Sequence, residues 1–179
     1  PSHEGYHQRP SNKNNGWIRV VEAQRLVREA KQILDEKPHL SLGIITFYGD
    51  QLDCLHKELM LLGLVKKTAQ GVEVIETYKT LSEGANIGKE RLRIGTVDAF
   101  QGKEFDVVMV SLVRTLKKNF NIDNIDKTQL DKVLTNAYGF LRVDNRLNVA
   151  LSRQHSLLIM VGDLALAQHP AAELSLIHI

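Results

Sequence analysis

Apolar residues recur at helical spacing from Trp17 onward. Val20, Ala23, Val27, Ala30 and Leu34 share one stripe, and Pro38 closes the segment. Residues 40–48 are short, apolar and β-branched, which predicts a strand buried on both faces. A second helix is predicted from about Asp50 to Leu62, with Leu52, Leu55, Leu59 and Leu62 on one face and Gly63 as its stop. Residues 72–78, 92–97, 106–113 and 156–161 predict further strands. Residues 79–90 are polar and contain glycine, so they predict a loop. Residues 115–137 are polar with a short helix near 128–134, residues 144–151 look helical, and residues 163–168 open a last helix. Strands that alternate with helices and are apolar on both faces predict an α/β fold with a mainly parallel sheet, helices covering both sides. Residues 1–16, with two prolines, three asparagines and two glycines, read as a flexible leader, and residues 173–179 as an unmatched tail. The folded unit expected is 17–172, with no internal repeat.

Composition narrows the class. The chain has 179 residues, 43% hydrophobic and 25% charged, which is ordinary for a globular domain. Cys54 is the single cysteine, so a disulfide scaffold is excluded and a reducing, intracellular compartment is expected. No uncharged apolar run reaches the roughly 18 residues of a membrane span, so no membrane partner is expected. The chain begins at Pro1 with no visible signal peptide, which suggests a processed chain or an excised piece. Lys plus Arg is 23 and Asp plus Glu 21, a net charge of +2. Bulk charge therefore does not argue for a nucleic-acid partner. The seven histidines show no ligand spacing, and no metal site is expected.

Parallel sheets place ligands outside the carboxyl ends of their strands. Residues 46–51, 98–104 and 111–114 are expected on that one rim. The strings that hold them are specific. IGTVDAFQGKEFDVVMVSLVR (residues 94–114) resembles motif V and its extension in superfamily 1 helicases. GFLRVDNRLNVALSR (139–153), followed by LLIMVGD (157–163), resembles motif VI, and GIITFYGDQ (43–51) is similar to the motif near the start of the second motor domain. The three follow family order. The branch they resemble contains the nonsense-mediated-decay RNA helicase and the Okazaki-fragment nuclease-helicase.

The resemblance implies a RecA-like fold and half of an ATP-driven motor. Such motors hold ATP between two RecA-like domains. The first carries the phosphate loop and the acids that bind Mg²⁺, and this chain resembles the second. Its nearest approach to a phosphate loop, GANIGKE (84–90), has one residue too few between the glycines, Glu90 in place of Ser or Thr, and precedes a strand. ATP and Mg²⁺ are thus expected in the intact motor, with neither bound by this piece alone. The implied partners are single-stranded DNA or RNA and the first RecA-like domain. Arg153 matches the arginine finger; a surface Arg capping a helix is the plain alternative. Gly102 and Glu104 match the segment near the ribose and phosphates, Tyr48 the aromatic near the base, with a core tyrosine as the equal alternative, and Gln51 a supporting polar group. Gln101 is expected to couple nucleotide to strand, and Thr96 and Asp98 to face nucleic acid, with simple capping of the strand end as the equal alternative. Arg146 reads as structural, paired with Asp144 or a motif V acid. Departures are Leu52, where relatives place a second phosphate-sensing Arg, Gln154-His155 after the finger, and the long 115–137 stretch. A non-catalytic RecA-like module that binds nucleic acid or protein is the alternative. A nicotinamide-binding enzyme fails for want of Gly-x-Gly-x-x-Gly after a strand.

Overall fold

The computed structural model describes residues 5–10, 16–117, 120–123, 125–143 and 146–176. Four parallel strands form the main sheet: β1 (Leu42–Thr46), β4 (Leu92–Thr96), β5 (Phe105–Ser111) and β6 (Gln154–Val161), in the order β4-β1-β5-β6. β1 is buried at every position, as an inner strand covered on both faces must be. Its side chains alternate between two cores. Leu42 and Ile44 join the core built with α1 (Val20–Glu36) and α2 (Gly49–Leu61). Ile45 and the following Phe47 join the opposite core, with Phe100, Phe105, Leu134, Tyr138 and Leu147. That second face is covered by α4 (Lys127–Tyr138) and α5 (Arg146–Leu151). The α/β architecture expected from the sequence is the one observed.

The stripe on α1 is buried at Ala23, Val27, Ala30 and Leu34, joined by Leu26. On α2, Leu55 and Leu59 are buried but Leu62 faces out. The helix stops there in a Schellman turn. Gly63 takes φ 67°, and the Leu64 N–H donates to Leu59 O at 2.9 Å. Residues 72–78 do not form a strand of the main sheet. β2 (Val65–Thr68) and β3 (Gly71–Val74) make a separate antiparallel hairpin, and α3 (Glu76–Lys79) follows. An apolar run of that length reads alike in either sheet, and β2, interrupted by Lys66 and Lys67, carries too weak a pattern to announce the hairpin.

Both ends of the chain are described in part. Residues 1–4 and 11–15 of the expected leader lie outside the described residues, but residues 5–10 are docked. Gln8 pairs antiparallel with Ile18, with N–H···O distances of 2.8 and 2.9 Å. At the other end, α6 (Leu164–Gln168) and α7 (Ala171–Leu176) close the chain, so the expected tail begins inside a helix whose Ala171 and Ala172 are buried. Residues 177–179 lie outside the described residues.

The connection from β4 to β5 decides where the site residues fall. It crosses the face of β1 in eight residues, through a 3-10 turn at Val97–Phe100. Phe100 is fully buried above β1, and only a residue without a side chain leaves room for it there. A Cβ on Gly43 would stand 2.8 Å from the Phe100 ring and 3.1 Å from Phe105.

Candidate nucleotide and nucleic-acid sites

The crossing separates residues that the sequence placed together. Thr96 and Asp98 stay at the carboxyl ends of the strands. Gln101, Gly102, Lys103 and Glu104 have returned to the amino end, just ahead of β5. Arg153 precedes β6 and therefore lies at the amino end too. The expectation of one shared rim is corrected: the sheet carries two.

At the amino rim the motif V and motif VI segments are tied side by side, because the Phe105 N–H donates to Arg153 O at 2.9 Å. Residues 101–104 are all exposed. Gly102 sits at φ 69°, and a Cβ there would meet nothing, so its surface is open to close approach. Glu104 Oε2 lies 3.4 Å from His155 Nε2. The Arg153 guanidinium folds back on its own helix: Nε donates to Val149 O at 2.9 Å, and Nη2 to Ser152 Oγ at 2.9 Å. Behind this cluster Asp106 accepts from the Ser41 N–H at 2.8 Å and its hydroxyl at 2.7 Å, locking β5 to the start of β1. Burial alone would raise the Asp106 pKa, but these two bonds and His155 leave it below the usual carboxylate value.

At the carboxyl rim, Thr96 is half-buried and Asp98 exposed. Asp98 Oδ2 accepts from Arg146 at 3.2 Å, so Arg146 pairs with a motif V acid; Asp144 lies outside the described residues. The Arg146 guanidinium also lies over the Phe140 ring, 5.2 Å from its centroid.

Tyr48 and Gln51 are buried against protein. Tyr48 is 4% exposed; its ring packs 5.2 Å from that of Phe140, and its hydroxyl accepts the Phe140 N–H at 3.4 Å. Burial raises its pKa. In this packing the ring cannot stack on a base. Gln51 is fully buried and joins three elements. It accepts from the Arg19 N–H at 2.9 Å, donates back to Arg19 O at 3.3 Å, and donates to Ser111 Oγ at 3.1 Å. Its role here is structural.

Gln51 leads to a centre that sequence reasoning missed. Glu22 is 3% exposed. Its Oε1 accepts from Ser111 Oγ at 2.6 Å and from the Val113 N–H at 2.9 Å, and its Oε2 faces Arg19 at 3.2 Å. Burial raises its pKa against these donors. Val113 takes φ 68°, a genuine outlier for a β-branched residue, and the Arg114 N–H closes a three-residue turn onto Leu112 O at 2.7 Å. Arg114, itself buried, donates to Ala137 O at 3.0 Å and to Asn136 O, capping α4. The available signal was a Glu beside Ala23 on an otherwise apolar helix face. Among the described residues, no group of three or more His, Cys, Asp or Glu is placed to hold a metal ion, and no helix is long and apolar enough to cross a membrane.

A four-stranded parallel sheet covered by helices on both faces is a RecA-like α/β fold. The model of the family described as AAA domain matches residues 2–165. The chain belongs to that family, as the C-terminal RecA-like domain of a superfamily 1 helicase. It is 33% identical over 138 residues to the putative helicase mov-10-B.1 of Danio rerio, covering 77% of this chain and 11% of the relative. It is 33% identical over 155 residues to the RNA helicase Mov10l1 of Mus musculus, covering 84% and 10%. It is 38% identical over 77 residues to the DNA polymerase alpha-associated DNA helicase A of Saccharomyces cerevisiae, covering 43% and 9%. The chain thus spans about a tenth of the length of these relatives.

Proposed function

We propose that this domain is the second half of an ATP-dependent helicase or translocase, supplying a cation to the nucleotide and part of the grip on a single strand. The observation that carries it is the amino rim, where Gly102, Glu104 and Arg153 are brought side by side by the Phe105 to Arg153 hydrogen bond. Bound ATP would supply the phosphoryl group whose transfer drives the motor. Around it, Gly102 would let the backbone approach the phosphates, and Glu104 would accept from ribose hydroxyls. Arg153 would turn its planar fork from Val149 O toward the γ-phosphate, to which a guanidinium is suited. Leaving Val149 O and Ser152 Oγ gives up two bonds to neutral oxygens, which a bidentate contact between guanidinium and phosphate, charged on both sides, replaces. Mg²⁺ would be held by the acids of the first RecA-like domain, as the resemblance to such motors implies. The strand would run over the carboxyl rim past Thr96 and Asp98, gripped without base reading.

The observed capping of α5 by Arg153 favours a second reading, a non-catalytic module in which that residue only stabilises the helix. One pair of variants separates the two in the reunited two-domain protein. For a finger, Arg153→Ala lowers strand-stimulated turnover by roughly 10³ to 10⁵ with little change in melting temperature, and Arg153→Lys does not restore it. Near-normal turnover in Arg153→Ala removes the finger.

A further inference from the structure

At the carboxyl rim three side chains touch in sequence. Phe140 keeps 42% of its surface exposed, although Tyr48 packs against its ring. The Arg146 guanidinium lies over that ring, 5.2 Å from its centroid. The same guanidinium reaches the next segment, with Nη2 3.2 Å from Asp98 Oδ2. Arg146 therefore ties Phe140 of the motif VI stretch to Asp98 of the motif V stretch, and Thr96 leads into the turn that holds Asp98. The mount is firm. Arg146 is the first residue of α5, and Leu147 and Ala150 of that helix are buried in the core. The Val143 N–H donates to Phe140 O at 3.2 Å and holds the turn that presents the ring.

A single strand led past Thr96 and Asp98 meets a difficulty. Every nucleotide carries a negative phosphate, and the exposed Asp98 carboxylate repels it. Arg146 sets a cation at the same place. Only its Nη2 is engaged; Nε and Nη1 donate to no side chain or carbonyl among the described residues. The pair is single-pronged, and its side chains are 34% and 58% exposed, so it is weak enough for another anion to compete. A carboxylate can only repel a phosphate, whereas a guanidinium forks onto one. Stacking on Phe140 holds the guanidinium plane, so less freedom is lost when the fork forms.

We propose that Arg146, stacked on Phe140, takes a backbone phosphate of the single strand at this rim, and that Asp98 competes with the strand for that guanidinium. Asp98 keeps the cation occupied while the rim is empty and yields it when a phosphate arrives. The phosphodiester is common to DNA and RNA, so the contact serves either. The inference rests on the strand-binding reading above and names its contact: the cation of motif VI, with the acid of motif V opposing it.

The test uses the 179-residue chain with fluorescein-labelled oligo(dT) and, separately, oligo(U), read by anisotropy across a salt series. Arg146→Ala should weaken binding of both and reduce the salt slope by about one unit, as one lost phosphate contact does. Asp98→Asn should act in the opposite direction and tighten binding by up to about fivefold, the range for one exposed charge pair. Arg146→Lys keeps the charge but not the fork, so affinity should fall with the slope retained. Lys66→Ala, on the hairpin that follows α2, should bind as the unaltered chain does, and melting temperatures should show all four variants folded. Weaker binding by Asp98→Asn overturns the inference, because a pair that merely joins the two segments is lost equally from either side. So does unchanged affinity and slope in Arg146→Ala while the unaltered chain binds. So does a loss confined to one of the two oligonucleotides, which marks a base or sugar contact. Absence of binding by the unaltered chain at low salt removes the strand-binding reading itself, and the inference with it. The motor reading stands or falls separately, on turnover of the Arg153 variants.

Discussion

Removing the Glu22 carboxylate should be among the most damaging single changes in this domain. Glu22→Ala leaves the Ser111 hydroxyl and the Val113 N–H without the acceptor they share, and removes the carboxylate that faces Arg19. An orphaned buried donor costs about 1–3 kcal/mol, and breaking a buried ion pair about 3–5. Because Ser111 also receives the Gln51 amide, the terms overlap, and a total of about 3–5 kcal/mol is expected. Glu22→Gln keeps the acceptor and the volume but turns an amide toward Arg19, so it should cost less, about 1–2 kcal/mol. Val113 supplies the companion experiment. Its φ of 68° stores on the order of 1–3 kcal/mol. Val113→Gly forfeits about 1.5–3 kcal/mol of burial but releases that strain, and should come out within about 1 kcal/mol of the parent. Val110→Gly, equally buried inside β5, gains no release and should cost about 2–4 kcal/mol. Urea unfolding with a constant slope reads all four. The reasoning is refuted if Val113→Gly costs as much as Val110→Gly, or if Glu22→Ala loses under about 1 kcal/mol.

The other predictions follow from single contacts. His7 has its folded pKa lowered from 6.5 to about 4. The unfolded chain therefore binds the extra proton, and stability present above pH 6.5 is lost as pH falls toward 4, by at most about 3 kcal/mol; His7→Ala should flatten that slope in urea unfolding followed from pH 7 to 4. Glu22 works in the opposite sense: with its folded pKa raised above 4.5, it costs stability as pH rises from there, and Glu22→Gln should remove that loss. Gly43→Ala should destabilise by about 1–3 kcal/mol, because its Cβ would press on Phe100 and Phe105 deep in the core, while Gly102→Ala would meet no atom and pay only for its positive φ.

Much of the architecture was legible because it rests on periodicity. The stripe on α1 and the run at residues 40–48 each match what they form, and alternation of strand with helix suffices for a parallel sheet. What escaped was set by contacts distant in sequence. The hairpin from Val65 to Val74 is half polar and pairs only with itself, so its pattern is weak. The docking of residues 5–10 depends on His7 meeting Thr115, 108 positions away. No local pattern announces such a pairing, and a polar, proline-bearing stretch looks the same whether free or docked.

The two rims show where motif matching and physical position part. Residues 94–105 are one continuous motif in sequence, yet the chain uses eight of them to cross β1, so its ends serve opposite edges of the sheet. Strand order alone produces this: β4 and β5 both pair with β1, parallel to it, so the link between them must travel the full strand length. Gly43 and Gly95 are the local trace of that crossing, since a Cβ on the second would fall 2.9 Å from Ala99. Tyr48 and Gln51 show the complementary case. Motif match and position past the end of a strand suggested a ligand, but in this structure the carboxyl end of β1 is roofed by Phe140 and by the start of α1, and polar side chains roofed over bond to protein. A polar residue at a strand end thus points to a ligand only where the following element leaves the rim uncovered. In this domain that condition holds at Thr96 and Asp98, and at Gln101 to Glu104, where the chain is open; at Tyr48 and Gln51 it fails.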